Sequence, residues 1–133
     1  MVQIKFKIAA KTDVGLVRTN NEDNFQASSD LRIAPMRWIN NELCQLGEKG
    51  ALLVVADGMG GMNAGEIASQ IAIETVREEF APDKITDNVI LSRFSIEKFM
   101  NDVIVKADSK IKEVSALRPE TKGMGTTIVL AWL

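Results

Sequence analysis

A chain of 133 residues, 46% hydrophobic and 26% charged with a net charge of −2, has room for one domain with a real core and not for two; its scattered Lys and Arg make no basic stripe for nucleic acid. The complete absence of histidine excludes Ser-His-Asp and Cys-His nucleophile systems and imidazole-bound catalytic zinc, and the single cysteine, Cys44, excludes an internal disulfide or a cysteine-rich zinc site. No apolar stretch is long enough to span a bilayer and no signal-peptide core follows Met1, so a cytoplasmic protein without a membrane partner is expected.

Val2, Ile4, Phe6, Ile8 and Ala10 alternate with Gln3, Lys5 and Lys7, the period of a half-buried strand. Residues 11–24 are polar and read as a short strand plus loop, and Asn24 to Ala27 start a further strand. Residues 28–49, with Pro35, Trp38 and Gly47, hold no sustained period and read as a long loop with a short helical turn. The run from Ala51 to Ala56 is apolar at every position and predicts a central strand buried on both faces. From residue 64 to residue 80 the period becomes helical through Ile67, Ile71, Ala72, Val76 and Phe80, with Asn63 as N-cap and Pro82 past the end. A linker over residues 83–91 leads to a second helix over 95–117, striped by Ile96, Phe99, Met100, Val103, Ile104, Ala107, Ile111 and Val114. Residues 126–133 are β-branched and apolar and predict a buried strand; a chain ending on such a strand leaves a pairing edge uncovered, as expected of part of something larger.

Three stretches carry candidate chemistry. In GLVRTNNED, residues 15–23, Arg18 is a permanently charged planar fork suited to a phosphate dianion. Glu22 and Asp23 follow as adjacent carboxylates able to face a metal cluster; a solvated charged turn is the competing reading. In VVADGMGGMNAGEIAS, residues 54–69, a strand delivers Asp57 into a glycine-rich turn and then a helix. Asp57 and the Gly58 carbonyl are hard oxygen donors of the kind Mg²⁺ and Mn²⁺ take, and the helix start can aim its positive end at an anion or water. The competing reading is a tight strand–helix connection capped by Asp57. In GMGTTIVLAWL, residues 123–133, the glycines before a strand point to close backbone packing and support of the fold.

In this order, the three stretches resemble the N-terminal motifs of the metal-dependent serine/threonine protein phosphatases, the PPM or type 2C family. The bacterial branch, with DGMGG and G-x-x-R-x-x-N-E-D, is the nearest in pattern. The likeness runs from about Thr12 to Leu133, with residues 28–49 longer than that connection requires. It implies an α+β fold, a β-sandwich flanked by helices in α-β-β-α layers, of which residues 1–133 would be the N-terminal portion of one incomplete domain. It implies that Asp57 bridges two Mg or Mn ions, that the Gly58 carbonyl ligates one, that Glu22 and Asp23 hold metal-bound waters, and that Arg18 grips the substrate phosphate. Catalytic roles thus fall on Arg18 and Asp57. Met59 stands where many eukaryotic relatives carry a proposed general-acid histidine. The implied reaction is hydrolysis of phosphoserine or phosphothreonine in proteins by a metal-bound hydroxide attacking phosphorus in line.

The further aspartates that the family uses to complete its metal site have no counterpart here; Asp87-Asn88 is nearest in pattern and lies in a linker. The chain therefore reads as the first half of the domain, with weak metal binding, negligible activity on its own, and self-association through exposed sheet edges. The alternative is a non-catalytic binding module that uses Arg18 to recognise a phosphorylated or acidic partner; a purely structural relic is a third reading.

Overall fold

The computed structural model describes residues 2–33 and 40–133. In chain order these form β1 (Lys5–Lys7), β2 (Asp23–Ser28), β3 (Leu43–Gln45), β4 (Leu52–Met59), α1 (Ala64–Glu79), α2 (Asp87–Ile90), α3 (Arg93–Leu117), a single 3-10 turn (Pro119–Thr121) and β5 (Gly125–Trp132). Strands β2, β4 and β5 make an antiparallel sheet with β4 in the centre, and β1 pairs antiparallel with β3 in a second, small sheet. The fold is α+β with two antiparallel sheets and helices, as the sequence leads one to expect.

Strand β4 organises the molecule. Its pleat sends Leu52, Val54 and Ala56 to one face, where all three are buried beneath α1. The facing residues of β5, Ile128, Leu130 and Trp132, pack on the same side. The opposite face corrects the expectation of a central strand buried on both faces and of a buried strand over residues 126–133: Val55 is 55% and Val129 70% exposed. The helices lie on one face only, and the other is met by residues near β1: Phe6 and Ile8 share a groove of about 310 Å³ with Phe25, Ala27, Leu53 and Val55.

Helix α1 is wedged between the sheet and α3, so its buried arc is wider than the predicted stripe. Ala68, Ser69, Ile73, Thr75 and Val76 are buried, while Ile67 and Ile71 are half-buried. The two buried hydroxyls are satisfied within the helix, Thr75 Oγ1 donating to the Ile71 carbonyl at 2.8 Å and Ser69 Oγ to the Glu66 carbonyl at 3.1 Å. Helix α3 starts two residues earlier than predicted because Ser92 and Ser95 form a reciprocal cap, each side-chain oxygen accepting the other's backbone N–H. It runs antiparallel to α1: Phe80 meets Phe99, and the Ala64–Ala72 stretch meets Ile111. Lys110 pairs with Glu78 at 2.7 Å and Lys106 with Glu79 across the two helices. The core closes on an aromatic trio: Phe80 lies edge-on to Phe99 and Trp132 with centroids 5.1 and 5.2 Å away, and the Trp132 indole N–H donates to the Lys49 carbonyl at 2.9 Å.

Other expectations need correction. The N-terminal alternation yields only three strand residues, and Val2 and Ile4 are exposed, because its ladder to β3 ends there. No strand precedes Asp23 in the polar segment. The presumed long loop over residues 28–49 contains β3, held by pairing with β1 and not by any period of its own. Among its described residues no helical turn occurs; Pro35 and Trp38 lie outside the described residues. The linker over residues 83–91 contains the short helix α2. Among the described residues no helix is long and apolar enough to cross a membrane.

Candidate metal and phosphate site

The end of β4 places Asp57, and the register of the sheet decides its company. Asp23 at the start of β2 stands directly opposite Asp57, so both carboxylates leave the same face of the sheet, the one away from the helices. Both residues are exposed. Loss of surrounding water, then repulsion by Asp57 and a hydrogen bond shared with it, raises the Asp23 carboxyl above its ordinary value, with Arg18 acting in the opposite sense. A carboxyl whose proton is held more tightly in the folded state than in the unfolded one costs stability: the penalty is absent in acid and complete once pH has risen through the folded-state value of Asp23.

The loop before β2 brings up the other charged groups. Arg18 Nη1 lies 3.4 Å from Glu22 Oε2, with the arginine side chain 69% exposed and the glutamate only 16%. Glu22 is held from two sides. Its carbonyl accepts from the Gly58 N–H at 3.1 Å, and its carboxylate lies against Gly65 in the first turn of α1. Two glycines permit this. A Cβ on Gly58 would come within 2.0 Å of the Gly65 carbonyl oxygen, and one on Gly65 within 2.6 Å of Glu22 Oε1. The turn between them carries two consecutive left-handed non-glycine residues, Met62 (φ 52°) and Asn63 (φ 68°). Asn63 occupies the N-cap position as predicted, but its side chain makes no capping hydrogen bond. Its Oδ1 accepts instead from Asn20 Nδ2, tying the Arg18 loop to the glycine turn.

Arg18, Glu22, Asp57 and Gly58 thus line one open cleft of about 600 Å³, together with Val17, Met59 and Met62. Asp23 stands beside Asp57 on the neighbouring strand. The glycine-flanked strand β5 supports this end of the sheet, with Thr127 opposite Asp57 and Gly125 opposite Met59. The Asn20–Asn63 link and the Gly58–Gly65–Glu22 contact were not predicted; the fourth glycine, Gly65, was their only trace in the sequence. Two adjacent carboxylates and a carbonyl suit a hard divalent cation. Among the described residues, however, no three metal-ligating side chains gather at one point.

Comparison with known proteins bears on the family and the fold. The family model described as Protein phosphatase 2C matches residues 41–133, a stretch that includes Asp57 and Gly58. The serine/threonine protein phosphatase PstP of Mycobacterium tuberculosis is 32% identical over 128 residues, 96% of this chain and 19% of that protein. The serine/threonine phosphatase stp of Listeria innocua is 27% identical over 121 residues, covering 91% of this chain and 40% of that one. Among solved structures, the S. agalactiae serine/threonine phosphatase superposes with a TM-score of 0.69 at 27% identity, over 99% of this chain and 44% of that one. The M. tuberculosis PstP/Ppp structure gives a TM-score of 0.63 at 27% identity, over 100% and 43% respectively. The chain therefore spans less than half the length of these relatives.

Proposed function

We infer the function from one premise: the chain belongs to the protein phosphatase 2C family. It carries the metal-bridging and phosphate-gripping end of a domain that hydrolyses phosphoserine or phosphothreonine in proteins. The observation that supports this most is the placement of Arg18, Glu22, Asp57 and Gly58 around one cleft with Asp23 alongside. In this reading Asp57 and the Gly58 carbonyl hold Mg²⁺ or Mn²⁺, Glu22 and Asp23 orient water around it, and Arg18 neutralises the phosphate oxygens through its fork. Divalent ions supply, when bound, an activated water nucleophile at neutral pH and a share of the charge neutralisation. Met59 lines the cleft and has no dissociable proton, so the leaving oxygen takes its proton from water or another group.

By itself this chain holds the metal weakly and turns over little substrate, because one carboxylate, Asp57, and the Gly58 carbonyl leave most of the six or more positions around such an ion to water. The expected result is that inorganic phosphate binds the chain in the presence of Mn²⁺, with negligible hydrolysis of a small aryl phosphate. Arg18→Ala weakens that phosphate binding about tenfold or more, and Arg18→Lys falls between, having charge without the fork. Calorimetry showing equal phosphate binding by all three proteins removes Arg18 from the site, and robust Mn²⁺-dependent hydrolysis removes the inactivity. The same shortage of gathered carboxylates favours a second reading, a non-catalytic module that holds a phosphorylated or acidic partner through Arg18. Phosphate binding that persists undiminished without metal selects it.

Self-association belongs to the same proposal. Strand β5 is at the edge of its sheet, and no described strand pairs with its outer side. Beside that edge, Val55 and Val129 present an apolar strip to solvent. Light scattering is expected to show the mass rising with concentration, and a constant monomer mass at high concentration contradicts it.

A further inference from the structure

The cleft is rimmed by apolar side chains that the chemistry above does not use. Val17 is 95%, Met62 88% and Met59 58% exposed, and all three line the same cavity as Arg18 and Asp57. Leu16, fully exposed, extends the rim beyond Val17. Single exposed apolar residues need no explanation, but a cluster bordering a charged cleft marks a contact surface. The rim belongs to two separate loops, one carrying Val17 and the other Met62. The Asn20–Asn63 hydrogen bond joins them, so that they face an occupant as one surface.

We propose that this rim receives the residues next to the phosphorylated serine or threonine, and that it selects phosphopeptides with an apolar side chain beside the phosphoresidue. The inference rests on the phosphatase reading of the cleft and names the substrate class that reading leaves open. Charge argues for this occupant. Arg18 is the one cation among the described residues lining the cleft, and it shares that lining with Val17, Met59 and Met62, so an occupant that meets them brings an anion with apolar flanks. Among the described residues no second Lys or Arg lines the cleft to favour an acidic flank. Methionine is unbranched and adaptable, so the selection is for apolar character and not for one side chain.

The test uses three phosphothreonine peptides that differ only at the two neighbouring positions, carrying Leu, Ser or Glu. Binding to the chain is followed by fluorescence anisotropy with Mn²⁺ present. The Leu peptide is expected to bind about tenfold tighter than the Ser peptide, with the Glu peptide no better than Ser. In the double variant Val17→Ser, Met62→Ser, the Leu peptide falls to the affinity of the Ser peptide while inorganic phosphate binds as before. Both positions are almost fully exposed, and an unchanged circular dichroism spectrum verifies the fold. Equal affinity for all three peptides, with phosphate binding still dependent on Arg18, overturns this inference alone. A Leu preference that survives the double variant also overturns it, as does conversion of a self-associated wild type to monomer by those substitutions without loss of peptide affinity. If neither peptides nor phosphate bind, the phosphatase reading fails and takes this inference with it.

Discussion

Replacing Asp57 with asparagine is expected to abolish most of the divalent-cation binding of this chain while leaving it folded. Asp57 is exposed at the end of β4, and the backbone pairings of that strand to β2 and β5 do not involve its carboxylate. Asparagine keeps the shape and removes a charge that, in the proposed reading, acts together with Asp23 to attract a cation to this face of the sheet. Loss of partners that merely orient metal ligands costs about 10- to 100-fold in affinity, so loss of a direct carboxylate ligand should cost at least about tenfold. Free Mn²⁺ measured by electron paramagnetic resonance during titration reads this directly. The same substitution relieves the repulsion on Asp23, whose carboxyl is then expected to titrate closer to its ordinary range. Retained Mn²⁺ affinity in Asp57→Asn would place the cation elsewhere.

The second large effect is steric. In Gly58→Ala the added methyl would stand 2.0 Å from the Gly65 carbonyl oxygen and 2.8 Å from that of Glu22, and both are backbone atoms with no side-chain freedom to yield. The strand end, the Arg18 loop or the start of α1 has to move. The expected cost is about 1–3 kcal/mol or more in unfolding free energy, the range for forcing extra atoms into a packed site. The shift also spreads the cleft, since Gly58 binds the Glu22 carbonyl through its own N–H. Gly61→Ala is the internal control: a Cβ there meets nothing within 4 Å, and its backbone is not in the left-handed region. Denaturant melts that show equal stability for the two variants would contradict the close Gly58–Gly65 packing.

What the amino-acid order discloses here is what depends on neighbours in the chain. A strand running into a glycine turn and then a helical period is a local pattern, and Asp57, Gly58 and α1 lie where it puts them. Arg18 and Glu22 are a turn-like stretch ahead of β2 and are likewise legible. Pairing across the sheet is not. Strand β2 was expected to start at Asn24 but begins at Asp23, and that residue's place opposite Asp57 depends on register, which a one-residue slip would reverse. The apolar run of β4 cannot say whether one face or both are covered, and Val55 shows that one is open. The left-handed backbone at Met62 defies residue preference and carries Asn63 into the same region, so the Asn63 side chain, expected at the helix cap, reaches Asn20 instead. The three-residue strand β3 is stabilised by its partner alone and leaves no period to find.

The central claim is that Asp57 and the Arg18 loop face one cation-binding cleft at the end of the large sheet. Mn²⁺ titrated into isotope-labelled protein, with amide line broadening read residue by residue, tests it most directly. Selective broadening is predicted at residues 18–23 and 57–63 at the lowest metal concentrations. If the first amides to broaden instead lie along the outer face of α3, near Asp102 and Asp108, while residues 57–63 stay sharp, the claim is contradicted.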